Sequence, residues 1–169
     1  MIKKVSSLFL GPYPKETLAV WAFSIFKVPM ILSIRPRIVK LDDKELIIRV
    51  PLRRATKNHL NSMYFGALCI GADVAGGMMA LFLINESKKK ISLVFKDMQA
   101  EFLKRVEGDA YFICSAGEKI RALIDRAANS TERVEEKIPM VVKVPDKLGD
   151  EIAAKFVLTL SLKQKASHN

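Results

Sequence analysis

An α+β fold, with an antiparallel sheet of about six strands wrapped around one long apolar helix, is what three features of this sequence predict. The run over residues 63–84 is apolar throughout and carries a single charged side chain, Asp73. Segments of two-fold apolar alternation flank it on both sides, as strands do. A second, ordinarily amphipathic helical stripe lies among the later strands. The length of 169 residues suits one compact domain, and a chain of that size buries roughly 70% of its unfolded surface without disulfide or metal.

Residues 17–34 form the first apolar block. Lys27 and Pro29 interrupt it, so the expectation is a retained helix broken near Pro29 and not a bilayer span. The Lys3-Lys4 start is compatible with a secretory leader, but no small-residue cleavage site follows the block. Over residues 37–53 the period becomes two: Leu46, Ile48, Val50 and Leu52 share a face opposite Ile47, Arg49 and Arg53. The cluster Asp42-Asp43-Lys44 separates this strand from Ile38-Val39-Lys40-Leu41 and predicts a hairpin. Four more strands follow, around residues 91–102, 110–114, 138–144 and 152–162. In the first of them the apolar parity switches between Phe95 and Met98, which a bulge near Lys96-Asp97 explains. Glu107-Gly108-Asp109 reads as a turn. Over residues 118–128, Ile120, Leu123, Ile124 and Ala127 form one stripe of a surface helix.

Charge and composition narrow the function. Half of the residues are apolar and the net charge is +10. The first 60 residues hold 12 basic and 4 acidic groups, which suits an anionic partner: a nucleic acid, a lipid surface or a phosphate-bearing cofactor. Nucleic acid is disfavoured, because Arg35, Arg37, Lys40, Arg49, Arg53 and Arg54 alternate with aliphatic and not aromatic residues. The two cysteines, Cys69 and Cys114, lie in apolar runs without CxxC spacing. They read as buried thiols in a reducing, cytoplasmic compartment. With two histidines, His59 and His168, neither a zinc cluster nor a multi-histidine metal site is expected.

Asp73 is the residue that requires an explanation, since an ionised carboxylate inside an apolar helix is costly unless it is hydrogen-bonded. Two readings stand. It accepts bonds from structural donors and fixes packing, or it acts as a general base toward water beside a bound acyl carbonyl. In the second reading Gly66, at the start of the helix, lets a substrate approach free amide donors that stabilise an oxyanion. Tyr64 and Asp73 are nine positions apart, roughly 13 Å along a helix. One copy cannot bring them together, so the base would come from a neighbouring subunit of a two-fold dimer. Ser62 reads as the helix N-cap, and His59 as a loop residue.

The order of hairpin, long apolar helix and further strands, with Asn58-His59-Leu60-Asn61-Ser62-Met63-Tyr64-Phe65-Gly66-Ala67 leading to Asp73 and the turn Val106-Glu107-Gly108-Asp109, resembles the hotdog-fold acyl-CoA thioesterases, closest to their PaaI-like branch and the DUF4442 relatives. The resemblance implies a hotdog domain over 36–165, an N-terminal helical extension over 1–35 and a tail over 166–169. It implies hydrolysis of an acyl-CoA or related thioester, with CoA as part of the substrate and no separate cofactor, by homodimers or dimers of dimers with shared sites. Position by position, Asp73 matches the helical acid that serves as base or nucleophile. Asn58 matches the Asn before the helix. Phe65 and Gly66 match the glycine pair whose amides polarise the carbonyl. Relatives commonly carry a His just before that pair, where this chain has Met63 and Tyr64, placed to line the substrate site. Arg53, Arg54 and Lys57 are candidates for the cofactor phosphates. Two further readings remain: a non-catalytic acyl- or lipid-binding protein on the same scaffold, and a peripheral membrane contact through residues 17–34.

Overall fold

The computed structural model describes residues 10–165. Residues 1–9, which include Lys3-Lys4 and the start of the expected extension, and the expected tail over 166–169 with His168, lie outside the described residues. Two helices come first, α1 (Pro14–Phe26) and α2 (Pro29–Ile34), separated where the sequence placed a break. Each has Pro in its first turn, where the missing N–H costs nothing. The hairpin β1 (Arg37–Leu41) and β2 (Leu46–Val50) leads to the long helix α3 (Phe65–Ser87). After it come β3 (Ile91–Phe102), β4 (Ala110–Cys114), α4 (Gly117–Ala128), β5 (Val134–Lys143), the short α5 (Pro145–Leu148) and β6 (Ile152–Gln164).

The six strands form one antiparallel sheet in the order β1-β2-β4-β5-β6-β3. The parity switch in β3 is a register shift between Phe95 and Asp97 against β6. Side chains that alternate in β4 (Ala110, Phe112, Cys114) and β5 (Ile138, Met140, Val142) are buried, as are Ile120, Leu123, Ile124 and Ala127 of α4. The second half of β3 differs from expectation. Ala100 and Phe102 are exposed along with Val94 and Phe95, because β3 is the sheet's outer strand and only β6 pairs with it.

α3 is apolar on every side and long enough to cross a membrane by composition, yet 12 of its 23 residues are buried within the domain. Its small residues permit that seat. A Cβ on Gly71 would stand 2.3 Å from the ring of Phe112, and one on Gly76 2.8 Å from Leu158. The helix axis can therefore approach the sheet more closely than larger side chains would allow. α1 and α2 join the same core through Val20, Ile31 and Ile34. They are pinned by Trp21, whose Nε1 donates to the Pro36 carbonyl at 2.8 Å, and by the Ile38 amide, which donates to Thr17 Oγ1 at 3.1 Å. Ser62 is not the N-cap of α3. That position is Tyr64, with no side-chain cap, because Ser62 is held instead by Asn58 in the preceding turn.

The two kinds of glycine in α3 give opposite predictions. Gly71→Ala gains about 1 kcal/mol of helix propensity, but it overpacks a wholly buried ring, at a cost of roughly 1–3 kcal/mol. Net destabilisation by denaturant titration is expected. At Gly77 the nearest atom is the tip of Phe95, 3.1 Å from a new Cβ, on a side chain 38% exposed and free to shift. Gly77→Ala should be neutral or stabilising.

Candidate functional site

The entry to α3 is built by a loop over residues 51–64. Buried Thr56 organises its first half: Oγ1 accepts from the Arg53 amide at 2.9 Å and donates to the Pro51 carbonyl at 2.8 Å. Asn58 organises the second half, its Oδ1 accepting from the amides of Leu60 and Ser62 at 2.9 and 3.2 Å, while Asn61 adopts a left-handed backbone with φ 61°. The chain is then tied on both sides, through Met63 N–H to the Val106 carbonyl at 2.7 Å and Tyr64 N–H to the Thr56 carbonyl at 2.8 Å. The turn seen in the sequence as Val106-Glu107-Gly108-Asp109 thus supports the helix start. Its Asp109 also braces β2, accepting from Arg49 Nε and the Leu52 amide, both at 2.8 Å.

Beyond these ties the first helical amides, those of Phe65 and Gly66, meet no acceptor among the described residues, as expected of a helix N-terminus. They sit beside a cavity of about 570 Å³ lined by Asn58, His59, Met63, Tyr64, Phe65 and the segment Phe102–Val106. Gly66 does not open the helix to a ligand in the way its lack of a side chain suggested. The Tyr64 ring folds over it, so that a Cβ would stand 2.5 Å from Cε1, and the same ring packs on Phe65 at 4.7 Å. Asn58 faces this cavity with its side chain engaged in its own turn. Met63 is buried and Tyr64 half-exposed.

The cations are distributed differently from the sequence expectation. Arg53 donates to the Ser33 carbonyl, Lys57 donates to Asn61 Oδ1 at 3.0 Å, and Arg54 is exposed. None of the three lines the cavity at the helix start. Lys104 and Arg105 do. They follow β3 directly, and in the sequence only their place before the Val106 turn hinted at such a role.

Asp73 lies two turns along α3, on the face that turns toward α1, α2 and β3. A second cavity, about 280 Å³, is lined by Asp73, Gly77 and Leu81 of α3, Phe23, Val28 and Ile31 of the N-terminal helices, and Leu93 and Phe95 of β3. It adjoins a third, of about 400 Å³, through shared walls at Phe23, Met78 and Leu81. Together they make an apolar trough beneath α1. Asp73 is partly buried, and no hydrogen bond or ion pair reaches its carboxylate among the described residues. Desolvation pushes its pKa up from the ordinary carboxylate value. The cavity at the amides and the cavity at Asp73 share no lining residue, and a helical rise of about 1.5 Å per residue puts the Gly66 amide roughly 10 Å from Asp73 along the axis. Among the described residues no three of His, Cys, Asp and Glu lie close enough to hold a metal ion.

A carboxyl whose pKa is raised by folding contributes stability in acid that is lost as pH climbs from its unfolded pKa through its folded one. Asp73→Asn removes that dependence. In thermal melts the variant should therefore be more stable than the parent near pH 7, with the gain shrinking toward about pH 4, the ordinary Asp value. A pH-independent offset would mean that Asp73 is not desolvated.

Comparison with known proteins places this architecture. A protein of unknown function from Chlorobaculum tepidum superposes with a TM-score of 0.77 at 16% identity, over 88% of this chain and 94% of that one. A protein of unknown function from Pseudomonas aeruginosa, labelled a probable thioesterase, does so with 0.71 at 24% identity, over 88% and 96%. A thioesterase from Haemophilus influenzae gives 0.61 at 13% identity, over 82% and 87%. No curated protein matches by sequence. The model of the domain of unknown function DUF4442 matches residues 17–161, and with that span and this architecture the chain belongs to the DUF4442 family and has the thioesterase-like hotdog fold.

Proposed function

We propose that this protein hydrolyses acyl thioesters, an acyl-CoA or a related carrier thioester, at sites shared by two copies of the chain. The observation that carries this reading is an ionisable carboxylate, Asp73, left without a protein partner on the wall of an apolar cavity. A packing role would leave its oxygens bonded to structural donors. The thioesterase labels of two of the compared structures agree with the reading.

The acyl chain lies in the trough beneath α1, whose walls are Phe23, Ile38, Met78, Leu81 and Phe82. The thioester carbonyl accepts hydrogen bonds from the Phe65 and Gly66 amides of one copy, at the positive end of the α3 dipole. Asp73 of the other copy takes a proton from water as its oxygen attacks the carbonyl carbon. The tetrahedral oxyanion collapses, the C–S bond breaks, and the thiolate leaves with the proton returned by Asp73. Lys104 and Arg105 at the mouth of the amide cavity, with Arg54 and Lys57 on the loop before it, attract the phosphates of a CoA-like carrier. Two copies meet along β3, which exposes Val94, Phe95 and Phe102 at the sheet edge. An uncovered edge of that kind is a template for strand pairing.

A non-catalytic acyl-binding protein is the second reading. It is favoured by Tyr64 lying over Gly66 and by the engagement of Asn58 in its own turn. Release of free thiol from a panel of acyl-CoA esters separates the two. Asp73→Asn should lower kcat by about 10²–10⁴-fold, the usual contribution of a general base, and undiminished turnover would remove Asp73 from the mechanism.

The shared site has its own test. Phe65→Pro removes one amide donor while suiting the first helical position, and Tyr64 at ψ 137° already has the extended backbone a following proline requires. Each single variant should be inactive. Co-refolding them in equal amounts should restore about a quarter of parental activity, because half of the dimers then hold one intact site of two. No recovery would place base and donors in the same copy.

A further inference from the structure

The N-terminal helical hairpin is built inside out. Helix α1 turns Thr17, Val20 and Ser24 toward the core, two of them polar and satisfied by hydrogen bonds. To solvent it shows Leu18 at 50% exposure, Ile25 at 55% and Phe26 at 81%. The connection into α2 continues the pattern, since residues 25–30, Ile-Phe-Lys-Val-Pro-Met, are all exposed, with Met30 at 66%. Helix α4 of the same chain obeys the ordinary rule, with Glu118, Lys119, Asp125 and Arg126 outward. An apolar tip thus sets this hairpin apart from the other surface helix of the chain.

Charge indicates what covers it. From Thr17 to Arg35 there is no acidic residue, while Lys27 stands at the tip and Arg35 closes α2. Arg53 is drawn to the same end by its bond to the Ser33 carbonyl. Exposed apolar side chains with Lys27 among them, cations at the end of α2 and no acid between them in the chain fit an anionic lipid surface, where apolar groups enter the acyl boundary and cations meet the head groups. α1, at 13 residues, is too short to span a bilayer and suits a helix lying on one. Phe23 and Val28 are both exposed and both line the Asp73 cavity, so the trough reaches the surface beside this tip.

We infer that the tip of the α1–α2 hairpin docks on anionic membrane, and that the acyl chain enters the trough from the bilayer between Phe23 and Val28. The docking stands without any catalytic role. The entry route rests on the thioesterase reading, and it specifies substrates with acyl chains long enough to partition into lipid.

Sedimentation of the full chain with phosphatidylcholine vesicles, with and without phosphatidylglycerol, tests this. Low-salt binding that requires the anionic lipid is expected. The pair Phe26→Glu with Met30→Glu, both outside the cavity lining, should reduce partitioning more than tenfold with an unchanged melting temperature, and Lys27→Glu should reduce it about fivefold or more. No binding of the parent, or equal binding of the variants, would overturn the docking. So would loss of self-association in the Glu variants without a change in lipid binding, which would assign the face to a second copy. With catalysis established on a short soluble thioester, the Glu variants should keep that turnover and lose it on vesicle-borne long-chain thioesters. Equal loss on both refutes the entry route. Vesicle binding without turnover of any thioester refutes the enzymatic reading alone.

Discussion

A helix that is apolar around its whole circumference has to be enclosed, and the seating of α3 is the constraint from which the other features of this protein follow. Enclosure demands a curved sheet on one side, and close approach demands small residues where helix and sheet touch. Gly71 against Phe112 and Gly76 against Leu158 and Met140 are those contacts. The sheet supplies curvature through the long strands β3, β5 and β6 and through the bulges that interrupt their pairing. What the sheet does not reach is closed by α4 and, on the Asp73 side, by α2 and α1, so the N-terminal hairpin completes the enclosure of the helix.

That last piece of the enclosure is where Asp73 lies. Its face of α3 meets α2, α1 and the outermost strand and not the packed centre of the sheet, which leaves room for a cavity and for a carboxylate without a partner. The amides of Phe65 and Gly66 are held a full two turns away by a rigid collar of hydrogen bonds from Thr56, Asn58 and Val106. Donors and acid are each positioned firmly, in separate cavities. A chemistry that needs both has to draw on two copies, which is why the proposed thioesterase site is a shared one, with the exposed edge of β3 as its proposed seam.

The hairpin's inverted polarity belongs to the same geometry. A helix that packs partly over a cavity can line its inner face with Val20 and two hydrogen-bonding side chains, Thr17 and Ser24, and leave bulky apolar residues outside. Such a surface gains nothing for the isolated fold, since exposed Phe and Ile add no burial. Its place at the mouth of the trough, with Lys27 among its apolar residues, is what the proposed membrane docking draws on.

Periodicity alone determined most of the architecture. The strands at 46–50, 110–114 and 138–144, the break at Pro29, the surface stripe of α4 and the bulge near Lys96-Asp97 follow from local side-chain sterics and from the alternation of a pleated strand, both written in adjacent residues. The resemblance in residues 58–73 likewise pointed to the family. Only the tertiary structure decided that Tyr64 covers Gly66, that Ser62 serves Asn58 and not the helix end, that Arg53 turns to Ser33, and that Phe23, Val28, Leu93, Phe95, Lys104 and Arg105 form the cavity walls. Each of these depends on which distant segments meet, and no period along the chain carries that information. Asp73 stands between the two: its apolar setting was legible from its neighbours in sequence, while its lack of a partner depended on every element that packs around it.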